Sequence, residues 1–415
     1  MSATKHEMSV PTALWVLRIA RFFGNFMPAL AVIVLIYTQK GVTVGDFFLI
    51  EGIFRLAAFL LEIPSGYLSD RFSRRRVLML AALLHGAGFA VLALAYGFWE
   101  IVAGEVLLGI ASALFSGTLE AYTYDLLKRN NTQKHFLKEM GSITTWISAA
   151  NFIATLIGPK IYVATNNNGN LLIWITAILA FVEFTLFYRL PELTEVIRHK
   201  QKGKSAFMDA VGITYKTMNN PKLRSLIVFP ALFGSFTIIM LWILQPIMQL
   251  SHVPVVLFGV YVSANMFARI IFSKYAYKIC EWFGEIKTAA LTILALTVGI
   301  AMSLVAIHTS NMTVVYIAIA IMALVPALVT LNNLQYNTLI HHDIESKERG
   351  TVLSTRAMVS TLFSAISLST TKYLYDYYGA DITMLTLLFA TVLLVISLKQ
   401  TMRYMCCSSK QQKIK

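Results

Sequence analysis

Charged residues and cysteines are scarce in this sequence for its length. Asp, Glu, Lys and Arg together make up 13% of the 415 residues, whereas soluble domains carry about 25%. Hydrophobic residues make up 57% of the chain, and the mean hydropathy is +0.66. This composition excludes a soluble globular protein and predicts an integral membrane protein that crosses the bilayer many times.

Several motifs that carry chemistry are also missing. The sequence has no Gly-rich phosphate loop, no nucleophile motif and no zinc-ligand spacing. Its three cysteines are too few for a disulfide framework, and its first residues lack the cleavage site of a signal peptide. We therefore expect neither an enzyme nor a nucleotide-driven pump, and we expect no cofactor and no metal.

The positive charge of the chain follows a topological pattern. The net charge is +14, which would indicate a nucleic-acid partner in a soluble protein. Here the Lys and Arg residues concentrate in alternate loops between apolar runs, for example at 71–76 and 198–204. Because short loops rich in Lys and Arg remain in the cytoplasm, we predict that both termini are cytoplasmic and that no nucleic acid is bound.

Apolar runs long enough to cross a membrane, which takes about 20 residues per helix, recur along the whole chain. Twelve occur, at residues 13–38, 44–68, 76–96, 99–127, 138–163, 171–190, 222–250, 254–280, 286–308, 311–340, 349–377 and 381–404. A polar, partly amphipathic segment, residues 191–221, divides them six and six. The sequence thus predicts an all-α integral membrane protein with six helices in residues 1–190, a cytoplasmic linker at 191–221, and six helices in residues 222–415.

A basic hairpin between the second and third runs carries the most specific motif. It reads EIPSGYLSDRFSRRR from Glu62 to Arg76, and its spacing G-x-x-x-D-R-x-x-R-R resembles the corresponding loop of the major facilitator superfamily, with Ser73 in place of the usual glycine. The pattern E-x-P-x5-D-x3-R is similar to a branch of drug and tetracycline exporters; an ordinary basic loop is the alternative. The residues expected to act as a conformational gate loop are Glu62, Gly66, Asp70, Arg71, Arg74 and Arg75.

This resemblance implies an architecture and a mode of action. Members of the superfamily have two pseudo-symmetric six-helix bundles, with the binding site between them at the membrane midplane. By resemblance, the chain is expected to be a monomeric secondary active transporter that works by alternating access in a bacterial inner membrane. Its partners are then a small organic solute, protons and membrane lipid.

Charged side chains within the apolar runs are candidates for function, because a charge in the bilayer core is costly unless it is paired or hydrated. In the first run, Arg21 and Asn25 are four residues apart and share a helix face. In the second run, Glu51 and Arg55 have the same spacing, which predicts an ion pair within the helix. Glu62 is expected to brace the basic hairpin rather than to contact solute.

The fourth run contains candidates for proton coupling. Exporters of the superfamily often have R-x-x-x-G here, whereas this chain has Glu105 four residues before Gly109, so a buried carboxylate is expected to carry the proton itself. Glu120 has a depth similar to that of Arg21, and we expect these two side chains to pair as an inner gate or proton switch; a static ion pair is the alternative. The candidates for proton coupling are Glu51, Glu105 and Glu120.

Solute contact is expected from polar side chains on several runs. Tyr261, Asn265 and Arg269 are spaced four apart and form one polar stripe, and Arg356 lies in the eleventh run. Amide and aromatic groups around one or two arginines suit a solute with an anionic or hydrogen-bonding end; hydrogen bonding between helices is the alternative. The candidates are Arg21, Asn25, Arg55, Asn151, Trp242, Gln245, Tyr261, Asn265, Arg269, Asn332, Asn333 and Tyr336.

The sequence favours a proton-coupled exporter of a drug-like solute or metabolite. The exporter-like hairpin, together with 26 Phe and 17 Met residues that suit a permissive cavity, supports this direction. The alternative is a proton-coupled importer of a small anionic or zwitterionic metabolite, such as an amino acid, a nucleoside or a siderophore-like compound. Glu105 and a shortened A-x-x-x-G-P motif beginning at Ala154 favour import. A receptor or scaffold built on the same fold would tolerate neutralisation of its buried charges.

Overall fold

The computed structural model describes residues 8–193, 212, 215–343 and 349–412 of the chain. Every regular element within these ranges is a helix. The main helices are α1 (Val10–Gly24), α2 (Ile33–Gln39), α3 (Val44–Arg71), α4 (Arg74–Leu94), α5 (Phe98–Lys128), α6 (Phe136–Ala164), α7 (Gly169–Arg189), α8 (Pro221–Leu250), α9 (Val255–Phe283), α10 (Glu285–His308), α11 (Met312–Leu324), α12 (Leu328–Asp343) and α13 (Arg349–Gln412). Most of the predicted linker, with its amphipathic stretch, lies outside the described residues.

Polar side chains at several loop–helix junctions set where helices begin. The side chains of Ser9, Asn168, Asn220 and Asn311 each accept a hydrogen bond from a backbone N–H in the first turn of the helix that follows. These bonds satisfy amide groups that have no partner within the helix. Short polar residues between apolar runs therefore mark the starts of α1, α7, α8 and α11.

Within the described part of the chain, 10 segments are long and apolar enough to cross a membrane. The last of them, Val352–Met402, has 51 residues and is interrupted at Gly379, whose φ of 75° favours glycine. Helix α3 is not among the 10 and carries four charged side chains between its first turn and residue 62. The predicted all-helical, multi-pass protein is confirmed, while the number twelve and the two-bundle arrangement stay predictions.

The helices group into two compact units. The first contains α1, α2, the part of α3 from Leu56 onward, and α4 to α7; the second contains Val42–Arg55 and α8 to α13. Helix α3 thus contributes its first half to the second unit and its second half to the first. The predicted division into residues 1–190, 191–221 and 222–415 stays a prediction.

Small residues bring helices of the first unit into close contact. A Cβ on Gly88 of α4 would lie 2.8 Å from Leu108 Cδ2, and a Cβ on Gly104 of α5 would lie 2.7 Å from Leu92 Cδ2. Gly158 of α6 lies directly against the backbone of Pro28, because a Cβ there would be 1.9 Å from the Pro28 carbonyl oxygen. The shortened glycine motif of the fifth run therefore has a packing role, as is common between membrane helices.

The second unit packs around α8, whose aromatic side chains fill its interior. The Phe229 ring lies 5.2 Å from the Tyr336 ring, and the Trp242 ring lies 5.3 Å from that of Phe47, edge to face. The Thr401 hydroxyl donates to the Ser225 carbonyl at 3.3 Å. Aromatic contacts of this geometry add stabilisation beyond the apolar area that they bury.

Candidate proton and solute sites

Arg21 lies in the last turn of α1, and its partner is an acid on α7. It is 8% exposed, its Nη1 donates to Glu183 Oε1 at 2.5 Å, and its guanidinium carbon is 4.2 Å from the centre of the Phe115 ring. The predicted Arg21–Glu120 pair is wrong, since Glu120 is exposed in this structure. Glu183 takes its place because α1 packs along α7 and Gly24 has no side chain to separate them.

Glu183 is a functional candidate that sequence reasoning missed. It is 0% exposed, and within the described part of the chain its Oε2 has no hydrogen-bond partner. His85 Nδ1 on α4 lies 3.9 Å from Oε2, and among the described residues this nitrogen also has no hydrogen-bond partner. The available signal was a single acidic residue in the apolar run of α7, which is costly in a bilayer without a role.

The predicted proton-coupling residues fall into two groups. Glu51 and Glu105 are buried, whereas Glu120 is exposed. Glu105 accepts a hydrogen bond from the hydroxyl of Tyr37, which is buried on α2. Burial and a neutral donor are compatible with a carboxyl group that changes its protonation state. Proton coupling by these three residues stays a prediction.

The basic hairpin is tied to its own unit by specific bonds. Arg74 Nη1 donates to the Ala121 carbonyl at 3.0 Å and to Asp125 Oδ2 of α5. Glu62 Oε1 accepts from the Ser116 hydroxyl at 3.3 Å, also on α5. These contacts agree with the expectation that Glu62 braces this region.

The structure shows fewer specific contacts for the other residues of the predicted gate loop. Arg75 lies 5.2 Å from the centre of the Tyr188 ring, and Arg71 is exposed. Among the described residues, none lies within 4 Å of a Cβ placed on Gly66. The side chain of Asp70 lies outside the described part of the chain. The gating role of this loop stays a prediction.

The residues of the predicted polar stripe on α9 differ in how they are bonded. Asn265 is fully buried; its Nδ2 donates to the Ala323 carbonyl at 2.9 Å, and its Oδ1 accepts from Arg269 Nε at 3.1 Å. The Tyr261 hydroxyl lies 3.5 Å from the Tyr316 carbonyl. Asn265 thus serves hydrogen bonding between helices and orients Arg269, whose guanidinium lies within electrostatic range of Arg55.

A second arginine site joins α12 and α13. Arg356 is 6% exposed; its Nη2 donates to Asn333 Oδ1 at 2.7 Å, and its Nη1 donates to the Asn333 carbonyl at 3.3 Å and to Asn337 Oδ1. No described carboxylate is paired with it. Asn332 instead donates to the Thr292 hydroxyl at 3.0 Å. The structure therefore places Arg356 in a cluster of amides, and none of the described carboxylates compensates its positive charge.

The remaining candidates for solute contact are mostly engaged locally or buried. Asn25 Nδ2 donates to the Arg21 carbonyl at 2.8 Å, and Asn151 Nδ2 donates to the Ile147 carbonyl at 3.2 Å. Trp242 and Gln245 are both buried on α8. Tyr336 is buried, and its hydroxyl has no hydrogen-bond partner in the described ranges. None of these positions is tested for solute contact, and their roles stay predictions.

An open pocket of about 480 Å³ in the first unit lies apart from the predicted residues. Its lining residues are Ile36, Gln39, Lys40, Gly41, Tyr96, Asn167, Asn168, Gly169 and Asn170. The Nζ of Lys40 donates to the carbonyls of Ala93 and Ala95 at 3.4 and 2.8 Å, and burial lowers the pKa of this amine. Its bonds thus join the segment after α2 to the end of α4.

Comparison with known proteins identifies the family. The chain matches the family described as "Major Facilitator Superfamily" over residues 14–368. It belongs to this superfamily. The predicted resemblance is thereby confirmed at the level of the superfamily, and the exporter-like branch remains a resemblance.

Curated relatives of this superfamily member are bacterial transporters. It is 28% identical to "Inner membrane transport protein YajR" of Escherichia coli, over 42% of this chain and 36% of that protein. It is 29% identical to "Bacillibactin exporter" of Bacillus subtilis, over 32% of this chain and 34% of that protein. It is 28% identical to "Uncharacterized transporter BU466" of Buchnera aphidicola, over 37% and 38% of the two chains. The alignments span less than half of each of these relatives.

Solved structures share the fold over nearly the whole chain. A variant of the nucleoside transporter NupG has a TM-score of 0.80 at 12% identity, covering 95% of this chain and 100% of that one. A bacterial homologue of the lysosomal transporter Spinster, in an inward-facing conformation, has a TM-score of 0.74 at 14% identity, covering 95% and 96%. At these identities the likeness concerns the fold alone.

Proposed function

We propose that this protein is a secondary active transporter that uses protons to export a small organic solute by alternating access. It acts as a monomer in the bacterial inner membrane, with both termini in the cytoplasm. The observation that carries the proposal is Glu105, a carboxylate buried in the apolar helix α5 against the Tyr37 hydroxyl. An acid at this depth is retained where it binds a proton or another cation.

Protons are the favoured energy source for two reasons. The sequence contains no nucleotide-binding motif, so an ion gradient is the energy source that we propose for active transport. Glu51 and Glu105 are buried acids in α3 and α5, and a buried carboxyl group has a lower cost when it is protonated. Proton uptake and release at such groups is therefore the simplest coupling reaction.

The second unit supports a solute with an anionic or strongly hydrogen-bonding end. Arg356 is bonded to amide and carbonyl oxygens rather than to a carboxylate, and Arg269 is oriented by Asn265. An arginine bonded to neutral groups keeps a net positive charge, and its planar fork suits a carboxylate or phosphate. A site of this kind suits an anionic solute whether it is exported or imported. The observation therefore also favours the second candidate function, import of an anionic or zwitterionic metabolite.

Export is preferred on the hairpin motif and on one relative. The pattern formed by Glu62, Pro64, Asp70 and Arg74 is similar to an exporter branch of the superfamily. The similarity to the bacillibactin exporter, at 29% identity over part of the chain, points in the same direction. Both lines concern only part of the chain and leave the solute itself to experiment.

A flux experiment tests coupling and direction together. Purified protein is reconstituted in liposomes with a panel of tetracycline, ethidium, uridine, leucine and a ferric siderophore, under imposed pH gradients of both signs. Accumulation in acid-inside vesicles indicates exchange of solute for protons, as in export, whereas accumulation in acid-outside vesicles indicates proton symport, as in import. We expect the first result, and we expect Glu105→Gln to abolish it.

The control variant is Glu100→Gln, which changes an exposed acid at the start of α5 and should leave accumulation unchanged. Flux that ignores the pH gradient would contradict proton coupling. A protein that is stabilised by a panel compound but moves none of them would instead favour a receptor.

A further inference from the structure

We propose that Glu183 is a proton-binding site of the transport cycle, and that its protonation releases Arg21 and loosens the contact between α1 and α7. This inference rests on the proposed function of proton-coupled transport and names a residue that performs it. The argument begins with the unequal surroundings of the two carboxylate oxygens. Oε1 is bonded to Arg21 Nη1 at 2.5 Å, while Oε2 is buried and has no hydrogen-bond partner among the residues that the structure describes.

The unpartnered oxygen makes Glu183 unlike a structural ion pair. A buried carboxylate that only holds helices together is normally bonded at both oxygens, because each unmet acceptor is costly. A proton on Oε2 would remove the unmet negative charge at that atom. Burial, together with one carboxylate oxygen that has no hydrogen-bond partner among the described residues, is therefore the feature of a site that binds and releases a proton.

The surrounding helices are shaped to hold the carboxyl group. A Cβ on Gly24 of α1 would lie 2.0 Å from Glu183 Oε2 and 2.5 Å from Oε1, so only glycine leaves room for the carboxyl at this point. The Phe115 ring of α5 lies against the guanidinium of Arg21. His85 is held between the rings of Phe89 and Phe115, at 5.0 and 6.1 Å.

The charged and titratable groups that face Glu183 come from two helices. Arg21 on α1 supplies a positive charge, and His85 on α4 supplies a nitrogen at 3.9 Å. The other described elements that pack against α7 include α2, α5, α6 and the 3-10 turn at Pro28–Val32. Within their described residues, none contributes an ion pair or a hydrogen bond to this carboxyl.

The proton balance links the site to helix movement. In the deprotonated state, Glu183 and Arg21 have no net charge together. A proton that enters at Oε2 makes the carboxyl neutral, so the pair carries one positive charge and the attraction between α1 and α7 weakens. On release, the proton leaves Oε2 for water, and the ion pair with Arg21 forms again.

Infrared difference spectroscopy on the reconstituted full-length protein tests whether Glu183 binds a proton. An acid–alkaline pH step produces a carbonyl-stretch band from each buried carboxyl group that titrates. We expect Glu183→Gln to lose one such band and the exposed control Glu100→Gln to retain it. A band pattern that is identical in wild type and Glu183→Gln overturns the proposal.

A second variant keeps the test decisive if Glu183→Gln does not fold. Glu183→Asp keeps an acid at the same position but shortens it, so the band should remain and shift in frequency. If Glu183→Gln does not fold, an unshifted band in Glu183→Asp overturns the proposal in the same way. A shifted band supports it.

Hydrogen exchange tests the link to the helices. After correction for the intrinsic effect of pH, we expect the amides of α1 and α7 to exchange faster at acid than at alkaline pH in the wild type. In Glu183→Gln, which mimics the neutral acid, exchange should be fast at both. Equal protection at both pH values in the wild type overturns the coupling.

The experiments distinguish a wrong assignment of Glu183 from a wrong proposed function. If the wild type shows gradient-driven flux but the infrared band is unchanged in Glu183→Gln, transport is proton-coupled through other acids and this inference is wrong. If no gradient acts on flux in the wild type, the proposed function is wrong whatever the infrared result.

Discussion

The two units of this protein treat their buried and half-buried arginines differently. In the first unit, Arg18 pairs with Glu139, Arg21 with Glu183 and Arg74 with Asp125. In the second unit, Arg356 and Arg269 are held by the side chains and carbonyls of asparagines. The first pattern compensates each positive charge, and the second leaves it available.

This difference suggests a division of labour between the units. A compensated pair responds to a proton, because protonation of the acid changes the net charge of the site. An arginine held by neutral oxygens is oriented while its charge remains available to an anionic group. We therefore propose that the Arg21–Glu183 pair of the first unit responds to protons, and that Arg269 and Arg356 of the second unit recognise an anionic solute end.

The largest expected effect comes from breaking the pair between Arg21 and Glu183. Arg21→Met leaves the acid buried without its partner and should cost about 3–5 kcal/mol of unfolding free energy at neutral pH. The loss should be smaller in acid, because a protonated Glu183 has no charge to compensate. Denaturant unfolding in detergent, followed by tryptophan fluorescence, measures both values.

The matched control removes both charges. Arg21→Met combined with Glu183→Met replaces the pair by apolar side chains of similar length, which is often close to neutral for a buried pair. The double variant should therefore be more stable than Arg21→Met alone. Equal losses in the single and double variants would contradict the view that the unpaired acid is the source of the cost.

A smaller effect is expected from Arg356 in the second unit. Arg356→Met leaves oxygens of Asn333 and Asn337 without a donor but leaves no buried charge, so the cost should be about 1–3 kcal/mol. Arg356→Lys keeps the charge without the planar fork and should recover only part of it. The same unfolding assay ranks these variants against Arg21→Met. A loss as large as that of Arg21→Met would indicate a buried counter-charge and remove the contrast between the units.

The positions of the helices could largely be predicted from the sequence. The predicted runs 99–127, 222–250 and 286–308 correspond to Phe98–Lys128, Pro221–Leu250 and Glu285–His308. Long apolar runs bounded by polar caps determine these limits because a membrane helix must satisfy its own backbone. Family membership was also readable from the spacing of the basic hairpin.

Pairing between helices could not be predicted in the same way. Hydropathy places Arg21 and Glu183 inside spans, but the two residues are 162 positions apart, and no local spacing relates them. Depth alone suggested Glu120, which is exposed, since depth does not determine which face of a helix meets which neighbour. The single acid in the apolar run of α7, Glu183, indicates that a carboxyl group is buried there. It does not indicate which residue pairs with that group.

The smallest expected effect comes from Lys372 in the second unit. It tests whether solvent access, rather than membership of a unit, explains how charged side chains are paired. The second unit does contain paired charges, since Lys372 bonds to Asp46 and, at 3.0 Å, to Asp376. These side chains are 19%, 24% and 31% exposed, so water and salt screen them. Lys372→Met should therefore cost only about 1 kcal/mol, and less at high salt, because the screened aspartates repel each other weakly. A loss that persists undiminished in high salt would mean that this cluster behaves as a buried ion pair. The contrast between the units would then depend on which side chains meet at particular helices, and not on solvent access.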